Sequence, residues 1–319
     1  MKSSPMNSKK TCANLYGPVP SRRLGFSLGV DFIPFKTCSL DCIYCQLGHV
    51  PDKIITRKAY IPASEILSQI KEKIDSGVCI DYITFSGSGE PTLNAEIGKL
   101  ILDIKQLTKI PVAVLTNSTL LHHNEVRTAL SAADLVVPSL DAVNQDIFEK
   151  INRPHPSLRI SDVIAGLKKF RQEFKGKIWI EVLLVKGVND SPAHLQKLKA
   201  VLAEIYPDKV QLNTVVRPPA EKFASSLTKT ELETIKDFLG GDCEIIATFD
   251  KTAQDLVQKS EKKNILSMIQ RRPMTLVDMA SSLGLHRNEV MKHLQILLEK
   301  GDIRIIRHKG SVYYEPAKK

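Results

Sequence analysis

"KTCSLDCIYCQLG", residues 36–48, places Cys38, Cys42 and Cys45 within eight positions, half of the six cysteines in a chain of 319 residues. Offsets of 0, 4 and 7 could share one helical face. Pro34 just upstream, and Ser and Asp inside "TCSLDC", make that a poor helix start. Buried structural cysteines rarely cluster so tightly. A redox dithiol of Cys42 and Cys45 leaves Cys38 unused. Structural zinc usually takes its fourth ligand from a second, similarly spaced pair. None of Cys12, Cys79 and Cys243 belongs to such a pair, although His49 could close a zinc site. The remaining option is an iron–sulfur cluster, for which thiolates are preferred soft ligands. Three cysteines would bind three irons of a [4Fe–4S] cube and leave the fourth open for chemistry.

Outward from this stretch, residues 27–250 alternate short β-rich runs with longer amphipathic ones. "SLGVDFI" (27–33), "CIDYITFS" (79–86), "IPVAVLTN" (110–117), "DLVVPSLD" (134–141), "KIWIEVLLV" (177–185) and "KVQLNTVV" (209–216) read as strands. Several lack in/out alternation, as strands covered on both faces of a parallel sheet do. "PASEILSQIKEKIDSG" (62–77), "NAEIGKLILDIKQLTK" (94–109), "LHHNEVRTALSAA" (121–133), "LRISDVIAGLKKFRQEF" (158–174) and "SPAHLQKLKAVLAEIY" (191–206) read as helices, the first stopping at Gly77. Repeated βα units imply right-handed crossovers and an α/β fold with a parallel sheet. Six units make a partial (β/α)6 barrel of TIM type, with residues 1–26 as an N-terminal extension.

A second region runs from 259 to 319. "EKKNILSMIQRR", "TLVDMASSLGL" and "RNEVMKHLQILLEKG" have helical patterns, and "DIRIIRHKGSVYYEP" reads as a hairpin about Lys309–Gly310. Three helices and a hairpin, with a tight turn at Gly284, resemble a small C-terminal winged helix-turn-helix domain. Its third helix would offer His286, Arg287, Asn288, Lys292 and His293 to a nucleic-acid groove.

The C-x3-C-x2-C run, with Tyr44 just before the last Cys and a first strand before it, resembles the radical S-adenosylmethionine (SAM) superfamily. "GPVPSRRLGFSLGVDFIPFKTCSLDCIYCQLG" is similar to the branch grouped with wyosine-type tRNA-modifying enzymes, and the likeness covers roughly residues 15–250. It implies one [4Fe–4S] cluster on Cys38, Cys42 and Cys45, S-adenosylmethionine as second cofactor, and an electron donor such as flavodoxin or ferredoxin. "SGSGEPTLN" (86–94) carries "SGEP", similar to the family's Gly-Gly-Glu-Pro motif, with Ser88 in place of the first Gly. The resemblance therefore gives Gly89 and Glu90 a role in holding the methionine amino group of SAM, and makes Tyr44, Asn117, Ser139 and Asp141 further candidate contacts. The strand ends also supply Lys186, Asn189, Asp190, Asn213 and Arg217, which would face substrate. Arg22 and Arg23 are either a substrate contact or a solvated pair. That branch binds a second cluster through additional N-terminal cysteines, whereas only Cys12 lies upstream here.

With 45 Lys and Arg against 35 Asp and Glu, the net charge is +10, which favours polyanionic partners. No run of 18 or more apolar residues appears, and "MKSSPMNSKKTCANLYGP" has no apolar h-region. The expectation is a cytoplasmic protein without a membrane span, where thiols stay reduced. Three functions are consistent with these features. One is a radical enzyme acting on tRNA or another RNA, one is a radical enzyme acting on a protein or small molecule, and one is a cluster-containing redox sensor that binds DNA. A bare sensor would need neither "SGEP" nor a complete barrel.

Overall fold

The computed structural model describes residues 14–21, 23–76, 78, 80–217, 219–247, 265–266, 269, 273–283, 287–308 and 311–317. These fall into two compact units that divide after Ala247. Gly77, Cys12, Cys79, Arg22, Gly284, His286, the side chain of Asn288, the Lys309–Gly310 turn and most of the 261–272 helix pattern lie outside the described residues.

The first unit is one eight-stranded sheet in chain order: β1 (Leu15–Ser21), β2 (Gly25–Val30), β3 (Tyr82–Phe85), β4 (Val112–Thr116), β5 (Leu135–Pro138), β6 (Lys177–Leu184), β7 (Lys209–Thr214) and β8 (Cys243–Ile245). β1 runs antiparallel to β2, and every later neighbour is parallel. The crossovers carry α1 (Ala63–Asp75), α2 (Ile97–Leu107), α3 (Asn124–Leu130), α4 (Gln145–Ile151) with α5 (Ile160–Glu173), α6 (Pro192–Ile205) and α7 (Lys229–Leu239). All six expected strands and five expected helices are present. The fold is α/β with a mostly parallel sheet.

The sheet begins earlier than the expected start at residue 27, because Leu15–Ser21 pairs along β2 instead of forming an extension. "LYGPVPS" reads as a turn, yet proline is tolerated on an edge strand, where one face of the ladder needs no donor. β8 is three residues long, too short to show a period. In β6 the burial alternates, with Ile178, Ile180, Val182 and Leu184 buried and Trp179, Glu181 and Leu183 on the other face. Leu24, in the β1–β2 turn, packs with Ala113, Leu135 and Val137 against Trp179. Its neighbour Arg23 reaches Glu181 of β6 at 2.6 Å and Gln211 of β7 at 2.9 Å. A turn between the first two strands can touch the sixth and seventh only if the sheet curls around it, so the β1–β2 turn plugs an open barrel.

Local chemistry starts the helices. Ser191 caps α6 ahead of Pro192, Asn144 caps α4, and Thr228 with Glu231 forms a capping box on α7. α5 carries Gly166 where it crosses the chain leaving β4. A Cβ there would lie 2.5 Å from the His122 nitrogen and 2.7 Å from the Leu121 carbonyl carbon.

In the second unit, α8 (Leu276–Leu283) and α9 (Arg287–Glu299) precede a hairpin of β9 (Ile303–His308) and β10 (Ser311–Pro316). Thr275 and Asp278 cap α8 reciprocally, and Met274 exchanges backbone hydrogen bonds with Tyr314 of β10 at 3.1 and 2.9 Å. Val290, Leu294 and Leu297 of α9 share one buried face with Met279, Ile303 and Tyr314. His293 is buried here and is not offered to a groove, since it lies three positions after Val290. Arg287 and Lys292 are exposed, while Arg304 is paired with Glu315. Among the described residues, no helix is long and apolar enough to cross a membrane.

Gly166→Ala tests the α5 crossing. Helix propensity alone would make the change stabilising by about 1 kcal/mol. The collision is with backbone, which must shift, so we expect a net loss of about 1–3 kcal/mol, read as a lower melting temperature. An unchanged or raised melting temperature would remove the close approach.

Candidate functional site

A cavity of about 480 Å³ lies at the C-terminal ends of the strands, within the range of ligand pockets. Its walls come from the loops after β2 to β5 and β7, from β6, and from β1. Cys38, Cys42, Tyr44, Cys45, Gly89, Glu90, Asn117 and Ser139 all line it.

The cysteine loop is not helical, so the shared-face alternative does not arise. It is held by its surroundings instead. The Cys38 carbonyl accepts from Ile54 N at 2.8 Å, Ile43 N donates to Ile151 O at 3.0 Å, and Glu221 N donates to Ile43 O at 2.9 Å. Asp41 accepts from Val50 N at 2.8 Å. The three cysteines are free thiols. Asn117 Nδ2 donates to Cys38 Sγ and Asn152 Nδ2 to Cys42 Sγ, each at 3.4 Å. Burial pushes the Cys38 thiol up to about 12, with the Glu90 carboxylate adding to the effect. Burial likewise raises Cys42 and Cys45.

Three sulfurs facing one cavity, two of them with amide donors, form a donor set suited to a cationic soft-metal group. Among the described residues, no three His, Cys, Asp or Glu groups converge on a single ion. His49, the residue that could close a zinc site, faces the carboxylates of Asp41 at 3.5 Å and Glu221 at 3.8 Å. The residues present therefore fit a [4Fe–4S] cluster.

The segment after β3 is laced to the cysteine loop. Lys36 N donates to Ser88 O at 2.6 Å, and Glu90 N donates to Thr37 O at 2.9 Å. A Cβ on residue 89 would stand 2.1 Å from that Thr37 oxygen, so only glycine fits. Ser88 keeps this geometry by turning its hydroxyl to Asp31, which also accepts from Ser88 N at 3.0 Å. Glu90 is buried, and burial raises its pKa against four donors that lower it. Oε1 accepts from Thr92 N, Thr92 Oγ1 and Thr116 Oγ1, and Oε2 accepts from Asn117 N at 2.7 Å. The carboxylate thus bolts the β3 loop to the β4 loop.

Tyr44 and Asp141 make a second bolt. The Tyr44 hydroxyl donates to Asp141 Oδ2, which also accepts from Asn152 Nδ2 at 2.8 Å, while Oδ1 accepts from Leu183 N at 2.9 Å. Burial lifts the Asp141 pKa to about 6. Asp141 lines a small pocket behind the main cavity, not the cavity itself. Asn117 and Ser139 line both.

Of the other strand-end candidates, Asn213 and Arg217 line the cavity, and Arg217 donates to Gln46 at 2.7 Å. Lys186 points away to Glu231, Asp190 accepts from Gly187 N, and Asn189 is buried against the Asp141 and Leu183 carbonyls. Arg23 is neither solvated nor idle, since it lines the cavity floor with Glu181. Sequence reading missed Tyr16, Lys36, Ser86 and Glu181. The alternation in "KIWIEVLL" was a signal for Glu181, a charge on the inward face. Tyr16, whose hydroxyl lies 2.6 Å from Ser86 Oγ, belongs to the unread edge strand.

The sequence matches the Radical SAM superfamily over residues 32–198. It is 40% identical over 300 residues to a protein named GTPase Obg from Brachyspira hyodysenteriae, covering 93% of this chain and 44% of that one, so the chain spans under half of that relative. It is 34% identical over 295 residues to a UPF0026 protein of Helicobacter pylori, covering 91% of this chain and 94% of the other. In fold it is similar to a radical SAM methyltransferase from Sphaerobacter thermophilus, with TM-score 0.53 and 19% identity over 70% of this chain and 67% of that one.

Glu90→Gln tests the first bolt in the cofactor-free protein. An amide has one acceptor where two oxygens are used, and its NH2 group meets a donor. The melting temperature should fall, reflecting a loss on the order of 1–3 kcal/mol. A melting curve identical to wild type would show that the carboxylate does not hold the loops.

Proposed function

The chain belongs to the radical SAM superfamily, whose enzymes use a [4Fe–4S] cluster and S-adenosylmethionine, and we propose that it uses both to remove a hydrogen atom from an RNA, tRNA being the leading candidate. The observation that carries the reading is the convergence of Cys38, Cys42 and Cys45 on the cavity that Gly89, Glu90, Asn117 and Ser139 also line. The three cysteines would hold the cluster. The backbone of 87–90 is the wall best suited to the methionine end of SAM, because glycine at 89 lets it lie against the cysteine loop. Glu90 and Asp141 support that wall and Tyr44 from behind. When bound, the two cofactors supply a 5′-deoxyadenosyl radical by one-electron cleavage of the SAM sulfonium bond. The protein's own part is to bind, orient and keep water from that radical.

The electron would come from a flavodoxin or ferredoxin, and reduced thiols suit the cytoplasm. The RNA reading is supported by the net charge of +10 and by the second unit. Two helices and a hairpin are described in it, as the expected winged helix would have, and Arg287, Lys292 and Arg307 are exposed on it.

Anaerobic reconstitution should load about four irons per chain. Addition of dithionite and SAM should then release methionine and 5′-deoxyadenosine, and the triple Cys38, Cys42 and Cys45→Ala variant should do neither. Full iron content in that variant would overturn the assignment. For RNA, the full chain should retard tRNA in a salt-dependent way. Arg287→Ala with Lys292→Ala should weaken binding and reduce the log–log salt slope by about one per lost phosphate contact. Wild-type affinity and slope in the double variant would remove the second unit from RNA binding.

A further inference from the structure

The cavity lining includes residues that are exposed, and these mark its mouth: Tyr16, Gln46, Gly87, Val216 and Arg217. Two large aromatic residues stand in solvent on segments that adjoin lining residues, Phe35 next to Lys36 at 65% exposure and Phe223 six residues after Arg217 at 58%. Each is coupled in sequence to a lysine, as Phe35–Lys36 and Lys222–Phe223. Lys36 Nζ lies 5.4 Å from the Phe35 ring centre, and it lines the cavity.

Contacts tie the segments that carry these groups to one another. Lys36 Nζ would be 3.4 Å from a Cβ at Gly48. His49 follows, 3.8 Å from Glu221, and Phe223 stands two residues beyond. Tyr16 is 40% exposed, with its hydroxyl on Ser86 and one part of its ring packed over Gly29. Among the described residues, none of Lys36, Arg217 and Lys222 has a carboxylate within ion-pair distance, although Arg217 bonds to Gln46. Two other exposed aromatics, Tyr206 and Phe238, end α6 and α7 and so lie at the opposite, N-terminal ends of the strands.

Single exposed apolar side chains need no explanation. Exposed aromatic rings and cations without an ion-pair partner, on the segments that line the mouth or adjoin it, do. A polyanion answers the cations, and a flat ring system with two π faces answers the aromatics. Single-stranded nucleic acid offers both in every residue. A paired base could not present its face to such a rim, whereas an unpaired one could stack there on its way to the cavity. We propose that Tyr16, Phe35 and Phe223, with Lys36, Arg217 and Lys222, form a stacking platform for unpaired bases of the substrate strand. The platform rests on the RNA reading above and adds where the strand is read. It serves single strands and loops, and not the duplex.

The test uses the full chain and three labelled probes: an RNA hairpin with an unpaired loop, a blunt RNA duplex of equal length, and the loop sequence as DNA. The hairpin should bind at least about tenfold tighter than the duplex, and Phe35→Ala and Phe223→Ala should each weaken it by roughly five- to a hundredfold. Phe35→Trp should restore binding, and Tyr206→Ala should leave it unchanged. A 2-aminopurine in the loop should change its fluorescence with wild type and not with the alanine variants. If the wild type binds the hairpin and both alanine variants match it, the platform is overturned while the RNA reading stands. If the wild type binds none of the probes, both fall. If the variants bind the hairpin normally but lose reduction by an acidic electron-carrier protein, the rim is a protein dock and the platform is again overturned. DNA bound as well as RNA would place the choice of sugar elsewhere and still support stacking.

Discussion

Everything at this site depends on the chain after β3 lying directly against the cysteine loop. Glu90 N reaches the Thr37 carbonyl, Lys36 N reaches the Ser88 carbonyl, and no Cβ fits between them at position 89. From that contact the constraint travels in a ring. Glu90 accepts the Asn117 amide from the β4 loop, and Asn117 Nδ2 returns to Ser39 Oγ and Cys38 Sγ. A buried carboxylate is costly to leave unpaired. Four donors answer it here, so loosening any of the three loops leaves a charge without its partners. Such a network is stable in one arrangement and poor in its neighbours. A cofactor site needs that property, because a ligand sulfur misplaced by an ångström is no longer a ligand.

The second ring repeats the logic on Cys42. Asn152, at the C-terminus of α4, donates both to Cys42 Sγ and to Asp141, which holds the Tyr44 hydroxyl and the Leu183 amide of β6. Each of these two cysteines therefore has an asparagine N–H on its sulfur and a buried carboxylate fixing the loop behind it. Neutral amide donors stabilise sulfur charge without adding a competing cation. Cys45 differs in having Lys36 nearby, whose charge works against the burial that raises its thiol. Lys36 is in the left-handed region at φ 61°, a conformation that side chains avoid unless surroundings impose it. The hydrogen bond from its backbone N–H to the Ser88 carbonyl is the imposing contact. The strain thus sits at the same junction that the first ring holds shut.

The six central strands were legible because strands buried on both faces are long apolar runs, and β4 and β5 have little else. The edges were not. "LYGPVPS" carries the residues that punctuate turns, and its strand status comes from pairing with β2, a nonlocal fact. The cysteine triplet stood out by its spacing, and Gly89 and Glu90 only through the resemblance of "SGEP" to a family motif. What the sequence does not display is which polar strand-end residues turn inward. Asn213 and Asn189 look alike in a one-dimensional reading, yet one lines the cavity and the other is consumed by backbone carbonyls at 2.8 and 2.9 Å. Asp141 sits at a strand end as ligand residues do, and its carboxylate is nonetheless filled by three protein donors. His293 was misassigned for a simpler reason: histidine reads as a surface residue, and the helical period that buries it is set by Val290 and Leu294.

The charge arrangement inside the barrel bears on where substrates can be distinguished. At the floor, Arg23 bonds Glu181 and Gln211, Asn213 bonds Glu181, and Gln211 continues to Glu244 at 2.7 Å. This ladder joins the β1–β2 turn to the last three strands, so a ligand that broke it would also open the barrel. The floor is consequently a poor place to read a substrate by charge, since every partner gained there would displace one already made. Among the described residues, cations without an ion-pair partner occur instead at the mouth, where Lys36 and Arg217 line the cavity. A buried, self-satisfied interior with an electrostatically open rim suits a chemistry whose reactive species is the same for every substrate. The interior can then be held rigid for the cofactors, while selectivity rests with the groups that meet the substrate before it enters.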